Sequence, residues 1–138
     1  MPSTSNLVDL TKRADDERTI RVLVADDDPD VRDGVTTYLS SAGFDVIAAV
    51  EDGVEAFEQA VWQRPDVVVM DLHMPGVDGI ASTDLIHTHM PRMPVVILTA
   101  FADPESRWAA RLAGATVLVA KDEPLSALEQ TIRSVTNS

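Results

Sequence analysis

No cysteine occurs in the 138 residues of this chain, and its aromatic residues are two tryptophans, one tyrosine and three phenylalanines. Without cysteine there can be no disulfide, no thiolate metal ligand and no cysteine nucleophile. The longest strongly apolar stretch, residues 95–102, is far shorter than the roughly 20 residues of a membrane-spanning helix. Residues 1–18 also lack the continuous apolar core of a secretory signal. We therefore expect a cytoplasmic protein that does not contact membranes.

Basic residues are scarce as well, because 11 lysines and arginines face 23 aspartates and glutamates, for a net charge of −12. Such a charge repels the phosphates of nucleic acids and of anionic lipids. We therefore expect no direct nucleic-acid binding by this chain. The length and the hydrophobic content of 45% suit one globular domain with its own core.

Residues 1–18 are polar and show no sustained hydrophobic period, which predicts a flexible N-terminal tail. A regular pattern starts at Thr19 and continues to about Val135. We therefore place a single domain over residues 19–138.

Short apolar runs recur along this domain, at residues 20–25, 67–70, 95–98 and 117–120, with a less strictly apolar run at 44–50 that is nearer an edge. Runs rich in valine and isoleucine with little alternation are typical of parallel strands buried on both faces. The segments between them show helical spacing. The predicted core-facing stripes are Val31, Val35, Leu39 and Ala42; Val54, Phe57, Ala60 and Val61; and Leu125, Leu128, Ile132 and Val135.

Two further helices are predicted with less regular stripes, at about 79–88 and 104–113. Pro29 and Pro124 suit first-turn positions after acidic capping residues, and Gly43 suits the end of the first helix. Five β-α repeats predict a doubly wound α/β fold, in which helices cover both faces of a five-stranded parallel sheet.

Polar residues stand where four of the predicted strands end. Asp26-Asp27-Asp28, Asp71, Thr99-Ala100 and Lys121 follow the first, third, fourth and fifth strands. Taken singly, each has an ordinary explanation, such as helix capping by Asp28. Because ligands of open α/β sheets bind beyond the carboxyl ends of the strands, their joint occurrence predicts a functional site.

The residue types at these positions favour magnesium and phosphoryl chemistry. Two carboxylates about 4 Å apart repel by roughly 4 kcal/mol at an effective dielectric near 20, so Asp26, Asp27 and Asp71 require a cation. Carboxylates and carbonyls select hard ions such as Mg²⁺. Asp71 could form an aspartyl phosphate, with Lys121, the Thr99 hydroxyl and the N–H groups near Ala100 stabilising the phosphoryl oxygens.

The segments VLVADDDP, VVVMDLHMPGVDG, VVILTAFAD and GATVLVAKD resemble, in this order, the four motifs of response-regulator receiver domains. The resemblance covers residues 19–135 and implies the flavodoxin-like strand order 2-1-3-4-5. It also implies a phosphoryl donor, either a sensor histidine kinase or a phosphotransfer protein, and a possible homodimer of the phosphorylated form. The chain would catalyse only its own phosphorylation and dephosphorylation, and would not be a turnover enzyme.

The resemblance assigns a role to each site residue. Asp26 and Asp27 resemble the acidic pair that holds Mg²⁺, Asp71 the phosphoacceptor, and Lys121 the phosphate-contacting lysine. The backbone carbonyl of His73 would complete the metal shell. Thr99 resembles the switch hydroxyl, and Leu118 occupies the position of a second switch residue. The side chains of His73 and Phe101 stand where the family tunes dephosphorylation, whereas His87 and His89 are expected to be ordinary surface residues.

Two positions depart from the family pattern. Lys121 is followed by Asp122 in place of the usual proline, and a cis bond before a non-proline residue costs roughly 2.5–4 kcal/mol, so the loop is either strained or differently built. Leu118 replaces the usual tyrosine or phenylalanine, which puts aromatic-coupled switching in doubt. The segment from Lys121 to Leu125 resembles receivers attached to helix-turn-helix effectors. Because the chain stops just after the predicted fifth helix, we expect either a stand-alone receiver or a piece of a longer regulator.

Three other functions are alternatives to phosphoryl transfer at this site. A receiver-fold binding module that works without phosphate would fit Leu118 and Asp122. A haloacid-type phosphohydrolase would need an aspartate at the position of His73. A flavodoxin-like FMN site would need a first loop of hydroxyl and N–H donors, whereas this loop offers the carboxylates of residues 26–28.

Overall fold

The computed structural model describes residues 19–100 and 102–136, so the predicted N-terminal tail and Phe101 lie outside the described residues. Five strands alternate with five helices. In chain order they are β1 (Arg21–Ala25), α1 (Pro29–Ser41), β2 (Asp45–Val50), α2 (Gly53–Gln63), β3 (Val67–Asp71), α3 (Gly79–His89), β4 (Val95–Thr99), α4 (Pro104–Ala113), β5 (Val117–Ala120) and α5 (Leu125–Thr136).

The five strands form one parallel sheet in the order β2-β1-β3-β4-β5, which confirms the predicted fold and strand order. Every residue of β3 and β4 is buried, as expected for central strands covered on both faces. The less apolar β2 lies at an edge, and Val50 is its single buried residue. The predicted boundaries agree to within one residue, and β3 and β4 extend to Asp71 and Thr99.

Alternate residues of the strands belong to two separate hydrophobic cores, because successive side chains in a strand point to opposite faces of the sheet. One core packs Val22, Val24 and Val69 with Leu39 of α1 and Ile132 of α5. The other contains Leu23, Met70 and Ile97, which pack with Ala56 of α2, Ile86 of α3 and Ala110 of α4. Two helices therefore cover one face of the sheet and three cover the other.

The prediction of which α2 residues face the core was partly wrong. Val54 and Val61 are 47% and 37% exposed, whereas Ala56 and Ala60 are fully buried. The reason is close packing at the start of the helix, where a side chain on Gly53 would overlap the main-chain carbonyl of Val77. Small residues bring α2 near its neighbours and leave Val54 and Val61 at the surface, whereas Phe57 is half-buried against the core as predicted.

The prediction for His87 was also wrong, whereas that for His89 is confirmed. His87 is half-buried, and its Nε2 lies 3.0 Å from the carbonyl oxygen of Met93. Its ring fills the space beside Gly114, where a Cβ atom would collide with it. His87 thus joins α3 to the loop before β5, while His89 is exposed.

Within residues 19–100 and 102–136, no helix is both long enough and apolar enough to span a membrane.

Candidate functional site

The strand register brings the predicted site residues to one edge of the sheet. Ala25 pairs with Met70, so Asp26 and Asp71, the next residues, lie side by side. Asp71 in turn pairs with Leu98, and Thr99 pairs with Ala120, directly before Lys121. Parallel pairing therefore places side chains from four strands at the carboxyl ends of the sheet, where ligands bind in this class of fold.

Three carboxylates meet at this edge. Asp26, Asp27 and Asp71 each offer an oxygen atom within 4.8 Å of the others. Asp26 and Asp71 are only 2% and 5% exposed, whereas Asp27 is exposed. Two buried carboxylates and one at the rim form a set of hard oxygen ligands that is open to solvent on one side.

Asp26 is held by contacts on its backbone and on its side chain. Its N–H donates to the carbonyl of Val50 at 3.0 Å, and its Oδ1 accepts from the N–H of Asp28 at 2.9 Å. Its carbonyl accepts from the Arg32 guanidinium at 2.7 Å. The loop between β1 and α1 is therefore fixed around the first acidic residue.

Lys121 supplies a cation between the two buried acids. Its Nζ lies 2.9 Å from Oδ2 of Asp26 and 3.3 Å from Oδ1 of Asp71. Burial lowers the pKa of Lys121, but the contacts with Asp26 and Asp71 outweigh this effect and raise it. Because Oδ2 of Asp26 is buried and receives no well-aligned hydrogen bond, its contact with Lys121 is an ion pair that leaves acceptor capacity unused.

The carboxyl of Asp71 is the titratable group most strongly perturbed at this edge. Burial and the nearby charge of Asp26 raise its pKa from 3.8 to about 6, against the opposing effect of Lys121 and of a hydrogen bond from the His73 backbone. The charged form of this carboxyl is therefore unfavourable unless positive charge lies nearby.

The other predicted site residues take distinct places. Thr99 is fully buried at the end of β4, and Ala100 is exposed beside it. The His73 side chain is exposed at the rim, as expected for a residue proposed to act through its backbone. Leu118 is half-buried on β5, in the cleft between that strand and α4.

The loop after Lys121 is differently built rather than strained. No cis peptide bond occurs among the described residues, so the bond between Lys121 and Asp122 is trans. The Lys121 N–H donates to the carbonyl of Thr99 at 2.7 Å, and the Glu123 N–H donates to that of Ala120 at 3.2 Å. This turn directs the Lys121 ammonium toward the acidic cluster without a proline.

Sequence reasoning missed Arg32. The signal was present, because Arg32 is the single basic residue among the five aspartates of residues 26–33. A lone arginine on a helix is most often solvated, however, and only the fold shows that it reaches back to Asp26.

Comparison with known proteins identifies the family to which this chain belongs. The sequence model of the response regulator receiver domain matches residues 22–133. The chain is therefore a member of the receiver domain family of two-component response regulators, a family of signalling modules.

Curated relatives agree with this assignment. The chain is 34% identical over 117 residues to the transcriptional regulatory protein LnrK of Bacillus subtilis, covering 84% of this chain and 53% of LnrK. It is also 34% identical over 118 residues to the oxygen regulatory protein NreC of Staphylococcus epidermidis, covering 84% of this chain and 54% of NreC. This chain thus spans about half the length of these relatives.

Solved structures agree as well. The receiver domain of the response regulator NarL from Mycobacterium tuberculosis has a TM-score of 0.80 at 28% identity, covering 87% of this chain and 98% of the other. A LuxR-family response regulator from Aurantimonas has a TM-score of 0.82 at 32% identity, covering 86% and 85%. CheY of Borrelia burgdorferi, in complex with CheX, BeF₃ and magnesium, has a TM-score of 0.81 at 25% identity, covering 86% and 90%.

Proposed function

We propose that this receiver domain accepts a phosphoryl group on Asp71 in a Mg²⁺-dependent reaction and changes its output surface in response. The donor is a phosphohistidine of a sensor histidine kinase or of a phosphotransfer protein. The observation that carries this proposal is the buried pair of Asp26 and Asp71, with Lys121 within 3.3 Å of both.

The residues at the site fit a magnesium ion. The three carboxylates converge within 4.8 Å, and the buried Oδ2 of Asp26 lacks a well-aligned hydrogen-bond donor. We assign Asp26, Asp27, Asp71 and the backbone carbonyl of His73 as its ligands, directly or through water. When bound, the ion neutralises the phosphoryl oxygens and the carboxylates that face them.

Each remaining residue has a role in the transfer. A carboxylate oxygen of Asp71 attacks phosphorus, the P–N bond of the donor breaks, and its electron pair stays on the imidazole nitrogen. Lys121 contributes a positive charge to the phosphoryl group. The Thr99 hydroxyl and the N–H groups near Ala100 donate to the phosphoryl oxygens.

Phosphorylation would act on the rest of the molecule through Thr99 and Leu118. Reorientation of the buried Thr99 toward the phosphoryl group would alter the end of β4. This change would reach the surface of α4 and β5 through the cleft that Leu118 lines. We further propose that two phosphorylated copies can associate. Because LnrK is named a transcriptional regulatory protein, we infer that the output regulates transcription.

The proposal is tested by intact-protein mass spectrometry after incubation with acetyl phosphate and Mg²⁺. We expect wild type to gain one phosphoryl mass, and Asp71→Asn to gain none because its carboxamide oxygen is a much weaker nucleophile than a carboxylate oxygen. Asp84→Asn, which removes an exposed carboxylate from α3, is the matched control and is expected to react like wild type. Chelation of Mg²⁺ is expected to abolish the gain in every variant.

An Asp71→Asn protein that still gained the phosphoryl mass would disprove the assignment of the phosphoacceptor. If wild type failed to react under conditions that phosphorylate a known receiver, the second candidate would be favoured. That candidate is a phosphate-independent binding module, for which Leu118 and the trans Lys121–Asp122 bond are the motivating observations.

A further inference from the structure

Arg32 connects helix α1 to the acidic end of strand β1. It lies in the first turns of the helix, which begins at Pro29, and its side chain folds back over the helix N-terminus. Its Nη1 donates to the main-chain carbonyl of Asp26 at 2.7 Å. This distance is typical of a strong, charge-assisted hydrogen bond.

The carbonyl that Arg32 holds belongs to the peptide group between Asp26 and Asp27. The N–H on the other side of Asp26 is fixed by Val50, and its side chain is fixed by the N–H of Asp28. Asp27, in contrast, is exposed. A rotation of the peptide group between the two acids would therefore move the Asp27 carboxylate relative to Asp26, and the guanidinium of Arg32 opposes that rotation.

We propose that Arg32 is a positioning residue for the magnesium site. It acts through the backbone of Asp26 and keeps the carboxylates of Asp26 and Asp27 aimed at one point. This inference rests on the proposed function. Groups that orient metal ligands without touching the metal commonly contribute about 10–100-fold to metal affinity.

Arg32 could affect the magnesium site by positioning the ligands or by its positive charge. These two roles predict opposite changes in Mg²⁺ affinity when Arg32 is neutralised. Arg32 is the single positive charge among the five aspartates of residues 26–33. If it acted only by charge, neutralising it would strengthen the attraction of the acidic loop for Mg²⁺. If it acts by position, neutralising it disorders the ligands and weakens Mg²⁺ binding.

The experiment is isothermal titration calorimetry with MgCl₂ on the whole chain, without a phosphoryl donor. We expect Arg32→Met to weaken Mg²⁺ binding about tenfold. Arg32→Lys, which keeps the charge and one donor of similar reach, is expected to bind within about threefold of wild type. Arg133→Met is the matched control, because Arg133 also donates from its guanidinium to a main-chain carbonyl, that of Ala42 at 3.0 Å. It is expected to leave Mg²⁺ affinity unchanged.

The outcomes separate the two levels of the proposal. Equal or tighter binding by Arg32→Met, or an equal loss in Arg32→Lys, would overturn the positioning role while the magnesium site stands. If wild type itself bound no Mg²⁺, both the proposed function and this inference would fall. Circular dichroism in metal-free buffer tests whether each variant is folded. If Arg32→Met does not fold, Arg32→Gln replaces it and is expected to weaken Mg²⁺ binding to the same extent.

Discussion

At the scale of single residues, the site places acidic groups where their charge is unfavourable. Asp26 and Asp71 are almost fully buried, and they share the single ammonium group of Lys121. Burial and the charge of Asp26 raise the pKa of Asp71 to about 6. The metal-free protein therefore carries a destabilising negative charge at neutral pH, and this charge is the one that the proposed reaction uses.

We predict that Asp71→Asn stabilises the metal-free protein at pH 7 by about 1–2 kcal/mol. The raised pKa corresponds to about 3 kcal/mol at full strength, and solvent at the rim screens part of it. Between pH 3.8 and about 6, the folded protein binds a proton that the unfolded chain has released, so wild-type stability falls as pH rises through this window. The gain in the free energy of unfolding from Asp71→Asn should therefore be complete above about pH 6 and absent below about pH 4.

The measurement is urea unfolding of both proteins in chelator-containing buffer from pH 4 to pH 8. Only the difference between the two proteins is compared, because carboxyl groups far from Asp71 contribute to the stability of both. A stability difference that stayed constant over this pH range would contradict a charge effect of Asp71 and would indicate a packing effect of the amide.

The sequence alone was enough to predict the acidic residues, Thr99 and Lys121 as one site, because parallel strands of known order bring their carboxyl ends together. It was not enough to predict the burial of His87, since the partner surface at Gly114 lies far along the chain. The contact of Arg32 with Asp26 was missed for a different reason, because helical spacing indicates only which face a residue occupies and not where a long side chain ends.

At the scale of elements, the connection from β3 to α3 is built around a close backbone approach. Gly79 begins α3, its N–H donates to the carbonyl of Leu72 at 3.0 Å, and a Cβ atom there would overlap the carbonyl oxygen of Asp71. The glycine that ends the segment VVVMDLHMPGVDG thus lets the helix begin directly against Asp71, the proposed phosphoacceptor.

We predict that Gly79→Ala lowers the free energy of unfolding by about 1–3 kcal/mol, because the added methyl group must displace main-chain atoms. Gly34→Ala is the matched control. Gly34 lies within α1 with nothing within 4 Å of its Cβ position, so alanine there should stabilise by up to about 1 kcal/mol through helix propensity. Thermal and urea unfolding measure both changes. Equal effects of the same sign would contradict the close approach at Gly79.

Aspartates are also the N-cap residues of four of the five helices, at positions 28, 52, 78 and 103. These caps explain several acidic residues without any chemistry. At the start of α2, Oδ1 of Asp52 accepts from the Glu55 N–H at 2.8 Å. Acidic residues that cap helices therefore differ from Asp26, Asp27 and Asp71, which form the proposed site.

We predict that Asp52→Ala destabilises the protein by about 1 kcal/mol, whereas Asp52→Asn keeps most of the stability because asparagine caps nearly as well. Urea unfolding of the two variants beside wild type provides the measurement. A loss in Asp52→Asn as large as in Asp52→Ala would mean that the negative charge of Asp52, rather than its hydrogen bond, stabilises the start of α2.

Among the elements, the sheet was the most predictable part and α2 the least. Strands buried on both faces are uniformly apolar, so their positions were evident to within one residue. For α2, helical spacing predicted Ala60 correctly, but it placed Val54 and Val61 in the core and missed Ala56, which is fully buried where the helix packs tightly at Gly53. Helical periodicity does not show how closely two elements approach.

At the scale of the whole molecule, the net charge of −12 makes any cation stabilising to some extent. Salt screens the repulsion among exposed carboxylates, which favours the compact state without a specific site. A magnesium ion at the proposed site would differ from such screening, because it would bind only the folded chain, in which Asp26, Asp27 and Asp71 meet. Folding and metal binding are then thermodynamically linked.

We predict that Mg²⁺ at 100 times its dissociation constant raises the free energy of unfolding by about 2.7 kcal/mol. NaCl at the same ionic strength should give a smaller increase, because the buried ligands are shielded from general screening. Asp26→Asn removes one buried ligand, so its response to MgCl₂ should fall to that of the matched NaCl solution. Thermal unfolding of both proteins in both salts provides the measurement. Equal stabilisation of wild type by the two salts would show that the acidic cluster attracts cations only through the overall charge.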